Sequence, residues 1–96
     1  MPYSVEILRE AGKFLDKLAH KQPKTAAALE NAIEELAADP RRRGSLPLTG
    51  CPGVLRYRVG NYRICYEIDD GRVVVLVITI STRADVYQVL RRTLGR

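Results

Sequence analysis

Arginines are concentrated in one short stretch of this sequence, Val54–Tyr66, which reads VLRYRVGNYRICY. Apolar and polar residues alternate there on both sides of Gly60-Asn61, a pair typical of a two-residue β-hairpin turn. Because side chains alternate between the faces of a strand, Arg56, Arg58 and Arg63 should share one face, here called the arginine face. Arg58 would lie opposite Arg63, and like charges in that position destabilise a sheet. The cluster therefore indicates a bound polyanion, most simply a phosphate backbone.

A second group of suitable residues follows the last apolar segment. Arg83, Tyr87 and Arg91 are spaced four residues apart, so they would share one stripe of a helix. Arginine presents a planar, permanently charged fork that suits phosphate, and tyrosine can stack on a base or donate a proton. For Arg91, complementing the dipole at the helix C-terminus is an equally simple role. These residue types favour binding of a phosphodiester and by themselves specify no reaction.

Other chemistries find no support in the sequence. It contains no Ser-His-Asp set, no metal-ligand cluster and no phosphate-binding glycine loop, so we expect neither a metal nor a cofactor. The only histidine, His20, falls at a connection between helices and is expected on the surface. The run Arg41-Arg42-Arg43 lies in a predicted loop. It is either general surface charge or an additional contact to RNA, and the sequence leaves both open.

The hydrophobic pattern predicts the elements that must position these residues. In chain order they are a strand at Tyr3–Leu8, a helix from Arg9, a helix at Lys24–Ala38, the two hairpin strands, a strand at Val73–Ile80 and a helix after Ser81-Thr82. Arg41–Gly53 is predicted to be a loop. The order β-α-α-β-β-β-α predicts an α+β fold in which an antiparallel sheet packs against a helical hairpin. The helices would cover one face of the sheet and leave the arginine face open.

Length and composition limit the class of protein. The 96 residues predict a single domain over residues 1–96, and the net charge of +5 favours acidic partners, although a charge excess for solubility would give the same number. No apolar run is long enough to span a membrane, and the N-terminus does not resemble a signal peptide. Cys51 and Cys65 are expected to be free thiols in the cytoplasm, with a disulfide between them left open.

The whole chain resembles the RelE/ParE superfamily of small bacterial toxins. The segment LPLTGCPGVLRYRVGNYRICYEID is similar to the family's leucine-glycine loop followed by R-x-R and G-[DN]-Y-R-[IVL]-x-Y. The segment VLVITISTRADVYQVL resembles its closing strand followed by R-x-x-V-Y. The resemblance implies a microbial RNase-like fold and the toxin of a type II toxin–antitoxin system. RelE-like members cleave messenger RNA in the ribosomal decoding site, whereas ParE-like members inhibit DNA gyrase.

The resemblance also implies roles for individual residues in RNA cleavage. Arg56 and Arg58 stand where RelE-like toxins keep basic residues that hold phosphate and assist proton transfer. Arg63 stands at the arginine that contacts the scissile phosphate, and Arg83 at the one that stabilises the transition state. Tyr87 matches the tyrosine that stacks on or orients the target nucleotide. The implied reaction is attack by a ribose 2′-hydroxyl on the adjacent phosphate, which gives a cyclic phosphate and a free 5′-hydroxyl.

Two departures from the family pattern bear on that reaction. Arg56 and Arg58 are arginines where well-known members can have lysine, and arginine is a poor general base because it stays protonated. Thr82 stands where many relatives carry histidine. A ribosome-dependent endoribonuclease is the favoured function, with a ParE-like gyrase inhibitor and a catalytically degenerate RNA-binding module as alternatives. The partners implied are a RelB-like antitoxin, the ribosome with its mRNA, and promoter DNA bound through the antitoxin, but no membrane.

Overall fold

The computed structural model of the chain describes residues 2–82. These residues form two helices packed on one side of a five-stranded sheet. The elements in chain order are β1 (Ser4–Ile7), α1 (Arg9–Lys21), α2 (Pro23–Ala38), β2 (Leu46–Pro47), β3 (Val54–Val59), β4 (Tyr62–Asp69) and β5 (Val74–Thr82). The predicted last helix, with Arg83, Tyr87 and Arg91, lies outside the described residues. Neither described helix is long and apolar enough to cross a membrane.

The two helices are amphipathic, and each begins where the sequence interrupts the apolar pattern. In α1 the residues Ala11, Leu15 and Leu18 are buried, as their spacing on one helical face requires. Pro23 occupies the first turn of α2, where its missing N–H leaves no hydrogen bond unmade. Only Gln22 separates the helices, so they pack side by side as the predicted hairpin.

The sheet has the strand order β1-β5-β4-β3-β2. Strands β3, β4 and β5 form the predicted antiparallel meander. Strand β1 pairs with β5 in parallel, with Ser4 opposite Val74, so the expectation of a wholly antiparallel sheet is wrong at this edge. The physical reason is the long connection between β1 and β5. The chain passes through two helices and the meander, and it then returns beside β1 in the same direction. The α+β fold class is confirmed.

The register of the central hairpin is the one that the alternation predicts. Val59 pairs with Tyr62, Arg58 with Arg63, and Arg56 with Cys65. The turn depends on Gly60, whose φ of 60° puts it in the left-handed region that glycine adopts without strain. A positive φ at the first turn position only is typical of a type II′ hairpin turn, which matches the twist of the two strands.

The core lies between the helices and the sheet face opposite the arginine face. Leu29, Leu36, Ile64 and Val77 are fully buried there, together with the ring of Tyr66. The Tyr66 hydroxyl donates a hydrogen bond to the Pro40 carbonyl at 2.7 Å and is 2.8 Å from Ser45 Oγ. One side chain therefore fills the core and anchors the loop that leaves α2.

The other face of the sheet is covered at one end. Leu48, from the segment predicted to be an unstructured loop, is buried against Val54, Cys65 and Ile78. The short strand β2 holds this segment against β3 by pairing Leu46 with Arg56. The expectation of a fully open arginine face is therefore wrong where the loop crosses it, because the apolar side chains of Val54, Cys65 and Ile78 need a cover.

The turn between β4 and β5 contains a strained residue that allows a stability test. Val73 has a φ of 58° and is 41% exposed, and a β-branched side chain in the left-handed region costs about 1–2 kcal/mol. Asparagine tolerates this region, so Val73→Asn should raise the free energy of unfolding by about 1 kcal/mol. Chemical denaturation measures this change. Val73→Thr keeps the branching and should give no gain; an equal gain from both variants would rule out backbone strain as the cause.

Candidate nucleic-acid interface

The arginine face is built by three adjacent strands of the meander. Arg58 pairs with Arg63, and Arg63 pairs in turn with Ser81 on β5. Arg56 pairs with Cys65 one step further from the turn. Neighbouring strands lie about 4.8 Å apart, so the bases of these side chains are within two strand spacings of one another. The structure thus brings together all three of the arginines that the hairpin pattern placed on one face.

No carboxylate neutralises these arginines in the part of the chain that the structure describes. Arg58 Nε donates a hydrogen bond to the Gly60 carbonyl at 3.0 Å, which directs its side chain along the hairpin toward the turn. Glu67 lies on the same face, opposite Val54, and it forms no ion pair with Arg56. Three uncompensated positive charges on one sheet face favour an anionic ligand.

Among residues 2–82, two buried polar atoms on this face lack hydrogen-bond partners. They are Nε of Arg63 and Oγ of Ser81, whose residues are paired across β4 and β5. A buried polar group without a partner usually costs 1–3 kcal/mol, roughly, so such groups are rare away from functional sites. Ser81 was not among the predicted site residues. Its position opposite Arg63 could have been found by extending the hairpin register to the next strand.

Cys65 lies opposite Arg56, next to the pair of Arg58 and Arg63, and is fully buried. Burial raises the pKa of its thiol to about 12, and the nearby positive charge of Arg63 only partly opposes this effect. The thiol is therefore protonated at neutral pH and is neither a nucleophile nor a base. Cys51, in the covering loop, is half-buried, and both cysteines are free thiols as expected.

The run Arg41-Arg42-Arg43 lies on a different surface from the arginine face. Arg42 pairs with Glu35 and stacks over the ring of Tyr57, whose side chain belongs to the core face. Arg41 makes two hydrogen bonds to the Asp70 carboxylate, of 2.8 and 3.1 Å. The guanidinium groups of Arg41 and Arg42 thus hold the loop in place and are poor candidates for RNA contacts. Arg43 is exposed and makes no ion pair within residues 2–82.

Asp70 joins three parts of the chain, because its carboxylate also accepts a 2.7 Å hydrogen bond from the Tyr3 hydroxyl. The Arg41 and Tyr3 hydrogen bonds lower the pKa of Asp70 from 3.8 to about 2. Since the pKa is lower in the folded chain, this contribution to stability is complete above pH 3.8 and disappears as the pH falls through about 2.

This linkage predicts the pH dependence of an Asp70→Asn variant. The free energy of unfolding of the variant should be lower than that of the parent near pH 5, and the difference should shrink steadily as the pH approaches 2. Urea denaturation at a series of pH values measures this difference. A difference that stays constant over that range would show that the asparagine acts through something other than loss of the ion pair.

Among residues 2–82 the structure contains no group of three His, Cys, Asp or Glu side chains that could hold a metal ion. His20 is exposed, as the sequence predicts, and its Nδ1 donates a 2.8 Å hydrogen bond to the Asp16 carbonyl. The chemistry available on the described part of the arginine face is therefore that of fixed positive charges and hydrogen-bond donors, which suits binding of a phosphate backbone.

The chain is similar in sequence and in fold to known proteins. A family model described as the ParE toxin of the type II toxin–antitoxin system parDE matches residues 5–87. Toxin RelG of Mycobacterium tuberculosis is 34% identical over 88 residues, which are 92% of this chain and 99% of that protein. The RelBE2 toxin–antitoxin complex from the same organism contains a chain of 33% identity and a TM-score of 0.72, with 86% of this chain and all of that one covered.

A mutant of the Escherichia coli toxin RelE, solved in the free state, is also similar. Its TM-score is 0.77 at 26% identity, with coverage of 100% of this chain and 98% of that one. The fold and the comparisons define a small toxin of the RelE/ParE superfamily. The chain belongs to the ParE toxin family of type II toxin–antitoxin systems, which confirms the resemblance found in the sequence.

Proposed function

We propose that this toxin is a ribosome-dependent endoribonuclease that cleaves messenger RNA and so blocks translation. The observation that carries the proposal is the arginine face, where Arg56, Arg58 and Arg63 lie together without a carboxylate partner among the described residues. Relatives named as RelE and RelG toxins support this branch of the superfamily. A ribosomal target also implies that the protein acts in the cytoplasm.

The proposed reaction is transesterification within the RNA strand. The ribose 2′-hydroxyl attacks the adjacent phosphorus, the bond to the 5′-oxygen of the next nucleotide breaks, and a cyclic phosphate and a free 5′-hydroxyl result. Arg63 would hold the scissile phosphate, while Arg56 and Arg58 would stabilise the charge that develops on its oxygens. Arg83 and Tyr87, assigned by resemblance alone, would assist the leaving group and orient the nucleotide.

Proton transfer is the step for which the arginine face is poorly equipped. An arginine stays protonated, and the thiol of Cys65 is held protonated by burial. The described residues of this face therefore work through positioning and charge, which together account for large rate factors in other enzymes. The 2′-hydroxyl proton would pass to a group outside this face, and the ribosome is the obvious source of one.

Mapping of mRNA ends after induction in bacteria tests the proposal. We expect new 5′ ends inside translated codons, absent from untranslated regions and lost in Arg83→Ala and Tyr87→Ala variants that still accumulate. Growth arrest with intact messages would contradict ribonuclease activity. RNA binding without any growth defect would support the third alternative, a catalytically degenerate RNA-binding module.

Inhibition of DNA gyrase is the second candidate function. Two observations favour it, the match to a ParE family model and the lack of a general base among the described residues of the arginine face. A supercoiling assay with purified gyrase separates the two functions. Inhibition that survives Arg83→Ala and Tyr87→Ala would select the gyrase target and exclude the ribonuclease mechanism.

The proposed partners follow from the relatives. Solved RelBE complexes pair a toxin of this fold with an antitoxin, and we propose a RelB-like antitoxin for this chain. An acidic antitoxin segment would neutralise the arginine face, and the complex would bind its own promoter DNA through the antitoxin. Of the other candidate RNA contacts, Arg43 and Arg91 remain in the proposal. Arg41 and Arg42 stay in it as weaker candidates, because RNA would have to compete with the carboxylates that hold them.

A further inference from the structure

A second basic surface lies on α1, on the opposite side of the sheet from the arginine face. Arg9, Lys13, Lys17 and Lys21 are spaced four residues apart and are all exposed; they are called the α1 ridge here. At 1.5 Å rise per residue, neighbouring cations are about 6 Å apart and the ridge is about 18 Å long. It lies away from the helix face that buries Ala11, Leu15 and Leu18.

The ridge is not explained by folding. Like charges four residues apart on a helix destabilise it by a few tenths of a kcal/mol per pair, roughly, and the ridge contains three such pairs in succession. Two carboxylates, Glu10 and Asp16, also lie on α1. Neither forms an ion pair with a ridge cation among the described residues, so the positive charge of the ridge remains available to a partner.

The neighbouring helix has the opposite charge. Along the second half of α2 the exposed charged residues are Glu30, Glu34 and Glu35, the last of which pairs with Arg42. An anionic partner would therefore contact α1 and be repelled by α2. This asymmetry limits the footprint to one side of the helical layer.

The ridge leads toward the same end of the molecule as the arginine face. Beyond Lys21, the start of α2 and the hairpin turn enclose a cleft of about 520 Å³, whose lining includes Lys24 and Gly60. Arg58 and Arg63 lie immediately behind that turn, on the other side of the sheet. The cations thus form a belt that runs along α1 and around the hairpin tip.

The geometry points to the α1 ridge as a second RNA-binding surface that takes the phosphate backbone of a double-helical RNA while the arginine face holds the message. This inference rests on the proposed function, since a ribosome presents both kinds of RNA together. Regular cations about 6 Å apart complement a row of backbone phosphates. A protein partner is a poorer fit because stable interfaces need apolar anchors. The exposed large apolar residues of the described chain are Ile7, Leu46 and Val73, and all lie outside α1.

Charge-reversal variants of the full-length protein test the inference without requiring cleavage. The ridge variant is Lys13→Glu with Lys17→Glu. The matched control adds Glu30→Lys and Glu34→Lys on α2, which restores the net charge but not the ridge. Binding to an RNA duplex of about 16 base pairs is measured by fluorescence anisotropy over a range of salt.

The ridge variant should bind the duplex on the order of tenfold more weakly, and its slope of log affinity against log salt should fall by about 1.5 to 2. The control should bind more tightly than the ridge variant but well below the parent, because removing two α2 carboxylates lessens repulsion without rebuilding the ridge. Full recovery in the control would show that net charge alone sets affinity and would overturn the inference. Unchanged duplex binding with lost affinity for a polyglutamate peptide would also overturn it, by assigning the ridge to an acidic protein.

An mRNA-cleavage assay with purified ribosomes then separates this inference from the proposed function. The ridge variant should need more toxin for half-maximal mRNA cleavage but reach the parent rate at saturation, because the arginine face is intact. A parent protein that cleaves no mRNA would refute the proposed function, and the duplex measurement would still decide whether the ridge binds RNA. Lys13→Gln with Lys17→Gln is the milder pair should the reversed charges disturb folding, which circular dichroism reports.

Discussion

Replacement of Arg63 by glutamine should lower ribosome-dependent mRNA cleavage by about 10²- to 10³-fold, the usual effect of removing one group that stabilises developing negative charge. Arg63 is the central arginine of its face, paired with both Arg58 and Ser81. Its Nε is buried and has no hydrogen-bond partner in the described part of the chain. Glutamine keeps most of the side-chain length and polarity but lacks the charge, so the loss should appear in the rate at saturating toxin.

Arg72→Gln is the matched control for this prediction. It makes the same chemical change at an exposed arginine whose guanidinium pairs with Glu6 at 2.9 Å, at the far end of β4. Strand β4 covers about 20 Å between Arg63 and Asp69, and Arg72 lies in the turn beyond it, too far for contact with the same phosphate. Cleavage by this control should match the parent. Equal losses in both variants would mean that general positive charge, rather than the arginine face, drives activity.

The central hairpin could be predicted from the sequence because two independent signals agree. The alternation through Arg56, Arg58 and Arg63 fixes which side chains share a face, and Gly60-Asn61 fixes the turn and therefore the register. A shift of one residue would have moved the whole core set to the other face. Local rules were sufficient here because all the contacts are between residues close in the chain.

The features that the sequence did not reveal all depend on distant residues. Arg41 is bound by Asp70, which is 29 residues away, so its local environment in the sequence gave no sign that it was already paired. The parallel pairing of β1 with β5 joins residues about 70 positions apart. Leu48 covers Cys65 only because β2 aligns the intervening loop. Tertiary packing, rather than local propensity, decides each of these contacts.

We expect the two faces of the sheet to have different roles, one in stability and the other in ligand binding. The core face and its loop fix the shape of the sheet through Tyr66 and the Arg41 and Arg42 ion pairs. The arginines of the arginine face have few partners among residues 2–82 and so remain available for a ligand. Substitutions on the core face should therefore change stability, and substitutions of these arginines should change activity with little effect on unfolding.

Tyr66 should show the largest effect on stability. Tyr66→Ala removes a fully buried ring from the core, and losses of this kind typically cost about 3–5 kcal/mol in the free energy of unfolding. Tyr66→Phe keeps the ring but leaves the Pro40 carbonyl and Ser45 Oγ without their shared partner. That loss should cost about 1–2 kcal/mol, because buried polar groups would be left unpaired. Chemical denaturation of each full-length variant measures both values.

Tyr62→Phe is the control that isolates the hydroxyl of Tyr66. Tyr62 is half-buried with its ring 5.6 Å from that of Phe14, and its hydroxyl makes no hydrogen bond within residues 2–82. Its removal should change the free energy of unfolding by less than about 0.5 kcal/mol. If the two phenylalanine variants were equally stable, the bonds from Tyr66 to the loop would contribute nothing. Ring packing alone would then hold the end of α2 on the sheet.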